Sequence, residues 1–233
     1  MKLMALLILL LASQVSAQTL KVAVVDTGAD ITDPRINAHL CPTGSKDFTG
    51  TSLKDVNGHG TEMISLIEQY AKDGDYCLVL YKYYLLSNPG YINQQNEIQA
   101  LREAVKGNRI INLSGGGPEF NQDEFQIIRD NPSIVFDVAA GNNGQNLDIP
   151  GNNFYPASYG LKNVISVENL DSDFNRSSTS NYGNKVTTVE IGENVQAHNI
   201  EGDSYITGTS AATAIFTGKL IRKVLDAIQS VRQ

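Results

Sequence analysis

The chain has 233 residues, with 18 basic against 25 acidic side chains, a net charge of −7 and 41% hydrophobic residues. This length suits one domain with a sizeable core. The acidic balance disfavours nucleic acids and anionic membrane surfaces as partners, and no internal repeat or low-complexity tract interrupts the sequence.

Met1 and Lys2 are followed by ten apolar residues over 3–12 and then by Ser13-Gln14-Val15-Ser16-Ala17. A basic start, a short apolar run and small residues at positions 15 and 17 read as a cleavable export leader over 1–17. The mature domain is then 18–233. Ten residues rise only about 15 Å as a helix, too little to cross a bilayer. Secretion or a periplasmic location is therefore expected, with no stable membrane insertion once the leader is removed. The rival reading is a retained anchor.

Residues 20–25 form a β-branched run that ends at Asp26-Thr27-Gly28, a buried strand stopped by a turn. Residues 29–58 are rich in loop punctuation, including Asp33-Pro34 and Asn57-Gly58. From 59 to 71, Met63, Ile64, Ile67 and Tyr70 recur at helical spacing. A strand over 76–84, a helix over 97–106 stopped by Gly107, and a strand over 109–113 follow. Next come a helix over 123–129, strands over 134–139 and 163–167, and further strands or a hairpin over 186–191 and near Val195. The pattern is helical from 210 to about 228. Short apolar strands alternating with helices predict an α/β domain with a mostly parallel central sheet and helices on both faces.

Cys41 and Cys77 are the two cysteines. In an oxidising compartment they form one disulfide; otherwise they are two separate buried thiols. No CxxC or HExxH string occurs, so neither a metal nor a cofactor is expected.

In open α/β sheets, ligands sit beyond the carboxyl ends of the strands. The first, third and fourth predicted strands run into turns at that end, which brings Asp26, Ser114 and Asn142 to one rim. His59 and Ser210 open predicted helices that can face it. Acyl transfer by serine needs a hydroxyl nucleophile, an imidazole, an orienting carboxylate and oxyanion donors. Ser210, His59, Asp26 and Asn142 supply one of each. Taken singly they read as a helix cap, a helix-start histidine, a turn aspartate and a turn asparagine. Together, in the order Asp, His, Ser, they read as a catalytic set.

Val24-Val25-Asp26-Thr27-Gly28, Asn57-Gly58-His59-Gly60-Thr61 and Gly208-Thr209-Ser210-Ala211-Ala212 resemble the three signatures of subtilisin-type serine peptidases. Ile111-Asn112-Leu113-Ser114, Ala139-Ala140-Gly141-Asn142, Tyr155-Pro156-Ala157 and Ser180-Asn181-Tyr182-Gly183 agree with the same family. The resemblance implies hydrolysis of polypeptides by a monomer through an acyl-enzyme. It assigns orientation to Asp26, general base and acid to His59, attack to Ser210, and the oxyanion hole to Asn142 and the Ser210 amide. It also implies that Ser114, Gly115 and Gly116 pair with the substrate backbone and wall a specificity pocket. Ala139, Ala140 and Gly141 form the other wall, and Phe154 stands at its floor. There the Phe154 ring either fills the pocket, favouring small side chains before the scissile bond, or turns into the core.

Four departures from the family pattern are visible. Ala211, Ala214 and Ile215 stand where relatives usually have Met, Pro and His, and Glu62 replaces a second histidine. The connection between the first helix and the strand at Tyr76 lacks the insertion that holds calcium in many relatives, so no such site is expected. No pro-domain is expected between Ala17 and the first strand. The competing function is a catalytically silent binding domain of the same fold.

Overall fold

A computed structural model describes residues 19–71 and 74–232. The leader reading over 1–17 lies outside the described residues. In chain order the elements are β1 (Leu20–Asp26), α1 (Pro34–Asn37), β2 (Lys46–Asp47), α2 (His59–Ala71), β3 (Tyr76–Lys82), α3 (Gly90–Ala104), β4 (Ile110–Leu113), α4 (Gln122–Arg129) and β5 (Val135–Ala139). A short 3₁₀ turn at Ala157–Tyr159 precedes β6 (Val164–Leu170), β7 (Thr188–Ile191), β8 (Val195–Asn199), β9 (Gly202–Ile206) and α5 (Thr209–Arg232).

Seven strands make one parallel sheet in the order β2-β3-β1-β4-β5-β6-β7, and β8 and β9 form a separate antiparallel hairpin. The predicted sheet and its two helical layers are therefore present. Strand residues alternate between two cores. Leu20, Val22 and Val24 of β1 join Met63, Ile64 and Ile67 of α2 and Ile221 and Val224 of α5 on one face. Ala23 and Val25 face the other way, with Leu101 of α3 and Ile128 of α4. A sheet covered on both faces requires near-continuous apolar strands, which is why these runs lack the polar alternation of an exposed sheet. Full burial of each such side chain contributes about 1.5–3 kcal/mol.

Helix α3 begins seven residues before the predicted start. Its first two turns carry polar residues on the buried side, so the apolar period fails there. Asn93 exchanges hydrogen bonds with the backbone N–H and carbonyl of Leu85, at 3.1 Å each, and Asn96 donates to the Tyr83 carbonyl at 3.3 Å. These side chains fasten the helix to the chain leaving β3. The expected strand over 76–84 ends earlier, at Lys82, and β6 runs to Leu170, past the expected 167.

Cys41 and Cys77 are bridged. The bond ties the segment beside β3 to β3 itself, where Cys41 N–H also donates to the Leu78 carbonyl at 2.9 Å. Closing a loop of 36 residues stabilises the fold by about 4 kcal/mol in the chain-entropy account. Among the described residues, no helix is long and apolar enough to cross a membrane.

Candidate active site

Strand β1 is central, with β3 on one side and β4 on the other, so the direction of winding reverses between them. Such a reversal opens a crevice at the carboxyl ends of the strands. Asp26 closes β1 at that end and is 5% exposed. Burying a carboxylate there is costly unless donors meet it. Its Oδ1 accepts the Thr27 N–H at 2.7 Å and lies 2.8 Å from His59 Nδ1. His59 is the first residue of α2. Burial disfavours its charged form, but the Asp26 carboxylate beside it, with Glu62 and Asp55 further off, outweighs that and pushes the imidazole up to about 9.

Ser210 is the second residue of α5, where helix N–H groups and the dipole favour negative charge. Its hydroxyl donates to the Ser114 carbonyl at 2.8 Å. No hydrogen bond joins it to His59 among the described residues. Ser114 returns the contact, its hydroxyl donating to Asn112 Oδ1 at 3.1 Å and to the Ser210 carbonyl at 3.3 Å.

Asn142 is tied to the same helix start. Its Oδ1 accepts from the Thr209 N–H at 2.9 Å and the Thr209 hydroxyl at 3.0 Å. The Thr209 hydroxyl oxygen in turn accepts the Gly141 N–H at 3.1 Å. With its oxygen committed, Asn142 has its amide N–H groups left for a ligand. Asn181, quoted above only as part of a family-like stretch, proves to be the anchor of this turn. Its Oδ1 accepts from the Asn143 and Gln145 N–H groups at 3.1 and 3.0 Å, and its Nδ2 donates to the Ala140 carbonyl at 2.9 Å.

The segment after β4 continues as Gly115, Gly116 and Gly117. Gly117 exchanges backbone hydrogen bonds with Tyr155, at 3.0 and 2.7 Å. The N–H and carbonyl groups of Gly115 and Gly116 pair with nothing among the described residues. Across from them stand Ala139 and Ala140, both buried, and Gly141. The Phe154 ring lies between the two segments. A Cβ added at Gly116 would come within 2.6 Å of its Cε1, and one at Gly141 within 2.7 Å of its Cγ. The same ring packs against the core under α3 and α4.

Sequence reasoning missed Thr27, Asp55, Asn181 and Thr209, whose side chains hold the four candidate residues in place. For Asp55 a signal existed. It is an acidic residue just before a helix start, where carboxylates cap free N–H groups.

Comparison with known proteins shows the family. The profile of the subtilase family matches residues 17–225. An intracellular serine protease of Paenibacillus polymyxa is 31% identical over 228 residues, covering 89% of this chain and 67% of that protein. The major intracellular serine protease of Bacillus subtilis is 28% identical, covering 90% and 69%. Subtilisin Savinase of Lederbergia lenta is 32% identical over 210 residues, covering 85% and 73%. The crystal structure of a cold-adapted subtilisin-like serine proteinase superposes with a TM-score of 0.73 at 24% identity, covering 86% of this chain and 73% of that one. A lanthipeptide protease also superposes at 0.73, with 23% identity. The chain belongs to the subtilase family and is a serine-type endopeptidase.

Proposed function

We propose that Asp26, His59 and Ser210 are the catalytic triad of this peptidase, with Asn142 and the Ser210 N–H as its oxyanion hole. The observation that carries the reading is the 2.8 Å contact between Asp26 Oδ1 and His59 Nδ1 at the carboxyl rim of the sheet. It fixes which imidazole nitrogen faces the carboxylate and leaves Nε2 for chemistry. On substrate binding, the Ser210 hydroxyl leaves the Ser114 carbonyl and turns to Nε2. Nε2 takes the hydroxyl proton as Oγ attacks the peptide carbonyl. Asn142 Nδ2 and the Ser210 N–H then hold the oxyanion. The imidazolium gives that proton to the departing amine, leaving an acyl-enzyme. Water attacks the ester by the same two proton transfers and restores Ser210.

The unpaired edge at Gly115 and Gly116 is the strand to which an extended substrate adds. Ser114, Gly116, Ala139, Ala140 and Gly141 then surround the side chain before the scissile bond. The Phe154 ring occupies the depth between Gly116 and Gly141, which supports a preference for small side chains there.

We further propose that the protein is exported. The leader-like residues 1–17 and the Cys41–Cys77 bridge support this, whereas the two relatives named intracellular speak for the opposite location. Sequencing of the mature N-terminus tests it, with Gln18 expected first. For the activity, a fluorophosphonate probe is the direct test. It is expected to label Ser210 in the purified protein, and absence of labelling across pH 6–10 would overturn the triad.

A further inference from the structure

We propose that Asp55, a buried carboxylate outside the triad, is a positioning residue that clamps the strand turn carrying Asp26 to the helix start carrying His59. The proposal rests on the reading of His59 as the proton carrier.

Asp55 is 1% exposed, and five donors meet it. Oδ1 accepts from the Thr27 hydroxyl at 3.0 Å and from the Asn57 and Gly58 N–H groups at 2.9 Å each. Oδ2 accepts from the Thr61 N–H at 3.0 Å and the Thr61 hydroxyl at 2.8 Å. Thr27 follows Asp26 directly, and its hydroxyl oxygen accepts the Gly60 N–H at 2.8 Å. One carboxylate thus bonds to the residue after Asp26 and to residues on both sides of His59. The two elements are in backbone contact, since a Cβ at Gly60 would collide with the Gly28 carbonyl oxygen.

The loop that delivers Asp55 is itself held. The Ala29 N–H donates to Leu53 O and the Asp55 N–H to Ala29 O, both at 3.0 Å. Lys82, the register partner of Asp26 on β3, is 1% exposed; its ammonium donates to the Lys54 carbonyl at 2.7 Å and to the Thr51 hydroxyl at 3.1 Å. Burial pushes the Asp55 carboxyl up, but the Gly58, Asn57 and Thr61 N–H groups and the Thr61 hydroxyl outweigh it and hold it below the usual carboxylate range. Its charge is therefore present at neutral pH. Asp26, Glu62 and Asp55 all act on His59, and all three favour the imidazolium.

Two consequences follow from one residue. Its hydrogen bonds fix the distance between Asp26 and His59, and its charge holds the imidazole's proton more tightly. Asp55→Asn keeps the shape, loses the charge and turns an amide N–H₂ toward at least one of these donors. Its kcat is expected to fall by about 10- to 100-fold with KM within about twofold. The acid limb of kcat/KM is expected to move to lower pH, and an NMR titration of the His59 ring to move the same way. A variant that only weakened the fold would move neither.

Parent-like kcat with an unmoved limb and an unmoved His59 titration would overturn the proposal while leaving the triad reading intact, provided the probe labels the parent. If the parent is not labelled, the triad reading fails on its own, and the ring titration still decides the role of Asp55. Should Asp55→Asn not fold, Thr27→Val cuts the ties of this hydroxyl to Asp55 and to the Gly60 N–H and keeps the charge. A reduced kcat at an unmoved acid limb is expected, and a parent-like kcat would overturn the clamp.

Discussion

The Ser210 hydroxyl donates to the Ser114 carbonyl at 2.8 Å, so it rests against the segment that leaves β4. The Ser114 hydroxyl bonds back to the Ser210 carbonyl at 3.3 Å, a reciprocal tie between α5 and the end of β4. In the proposed mechanism, substrate pairing along 114–116 and activation of the hydroxyl involve the same contact.

Ser210→Ala is expected to abolish both probe labelling and hydrolysis, leaving only the residual catalysis of binding and oxyanion stabilisation. The mutation removes one half-buried hydrogen bond, worth about 1 kcal/mol net. For a domain of this size that corresponds to a fall in Tm of about 2–4 °C. Calorimetry and a peptide assay check the two halves; retained hydrolysis in the folded variant would remove Ser210 from the mechanism.

The imidazole of His59, raised to about 9, gives the rate a definite pH dependence. An imidazolium cannot accept the Ser210 proton, so kcat/KM is expected to climb from neutrality and level off above about pH 9. Stability runs the other way. A raised folded value means the Asp26–His59⁺ pair stabilises fully below the free imidazole value of about 6.5 and loses that contribution as pH rises through 9. A kcat/KM profile already flat from pH 7 would contradict the electrostatics of the pair.

Asn142→Ala is expected to lower kcat by about 100- to 1,000-fold with a smaller change in KM, because the amide meets the oxyanion chiefly in the transition state. It also removes the acceptor for the Thr209 N–H and hydroxyl. Thr209→Val separates the two roles. It leaves the Asn142 amide in place and should cost far less in kcat. Equal losses in the two variants would mean that Asn142 acts only by holding the start of α5.

Phe154→Gly opens the space between Gly116 and Gly141. Peptide-library profiling of the parent is expected to show Ala or Val before the scissile bond, and the variant should gain Leu and Phe. Filling an apolar pocket discriminates by about 1–3 kcal/mol per methylene, so the change in preference should exceed tenfold. A parent that already prefers Phe or Leu would show that the ring swings aside.

Much of this was legible from local signals. The strand runs of β1, β4 and β5 are apolar because both faces of the sheet are covered, and the glycine-bearing turns at their ends mark the crevice. The helix start at His59 and its pairing with Asp26 follow from the same pattern. What stayed hidden is polar and long-range. The first turns of α3 bury Asn93 and Asn96, which no hydrophobic period reveals. Asn181 reaches Ala140 across 41 residues, and Asp55 reaches Thr27 across 28. Such contacts depend on how separate elements meet, and spacing along one element does not encode that.

Asp137 carries the last prediction. It sits in the middle of β5, fully buried, opposite Asn112 on β4 and Ile165 on β6. Its Oδ2 accepts the Thr217 hydroxyl of α5 at 2.9 Å, and its Oδ1 has no partner among the described residues. Burial pushes its carboxyl up to about 7 against the small opposing effect of Thr217. The folded protein therefore holds this proton more tightly than the unfolded chain between about pH 4 and 7. The Asp137 contribution to stability is greatest below pH 4, declines as pH rises toward 7 and is flat beyond. Glu124, also raised to about 7, and Glu68, raised to about 8, act in the same direction because burial dominates both. Stability is thus expected to be higher near pH 5 than near pH 8. Asp137→Asn keeps the volume and the bond from Thr217 and cannot ionise. It should flatten the fall between pH 5 and 7 while leaving the loss near pH 9, which belongs to His59. Urea unfolding midpoints measured at pH 5, 7 and 9 check this, and identical slopes for parent and variant between pH 5 and 7 would mean that Asp137 does not carry the proton.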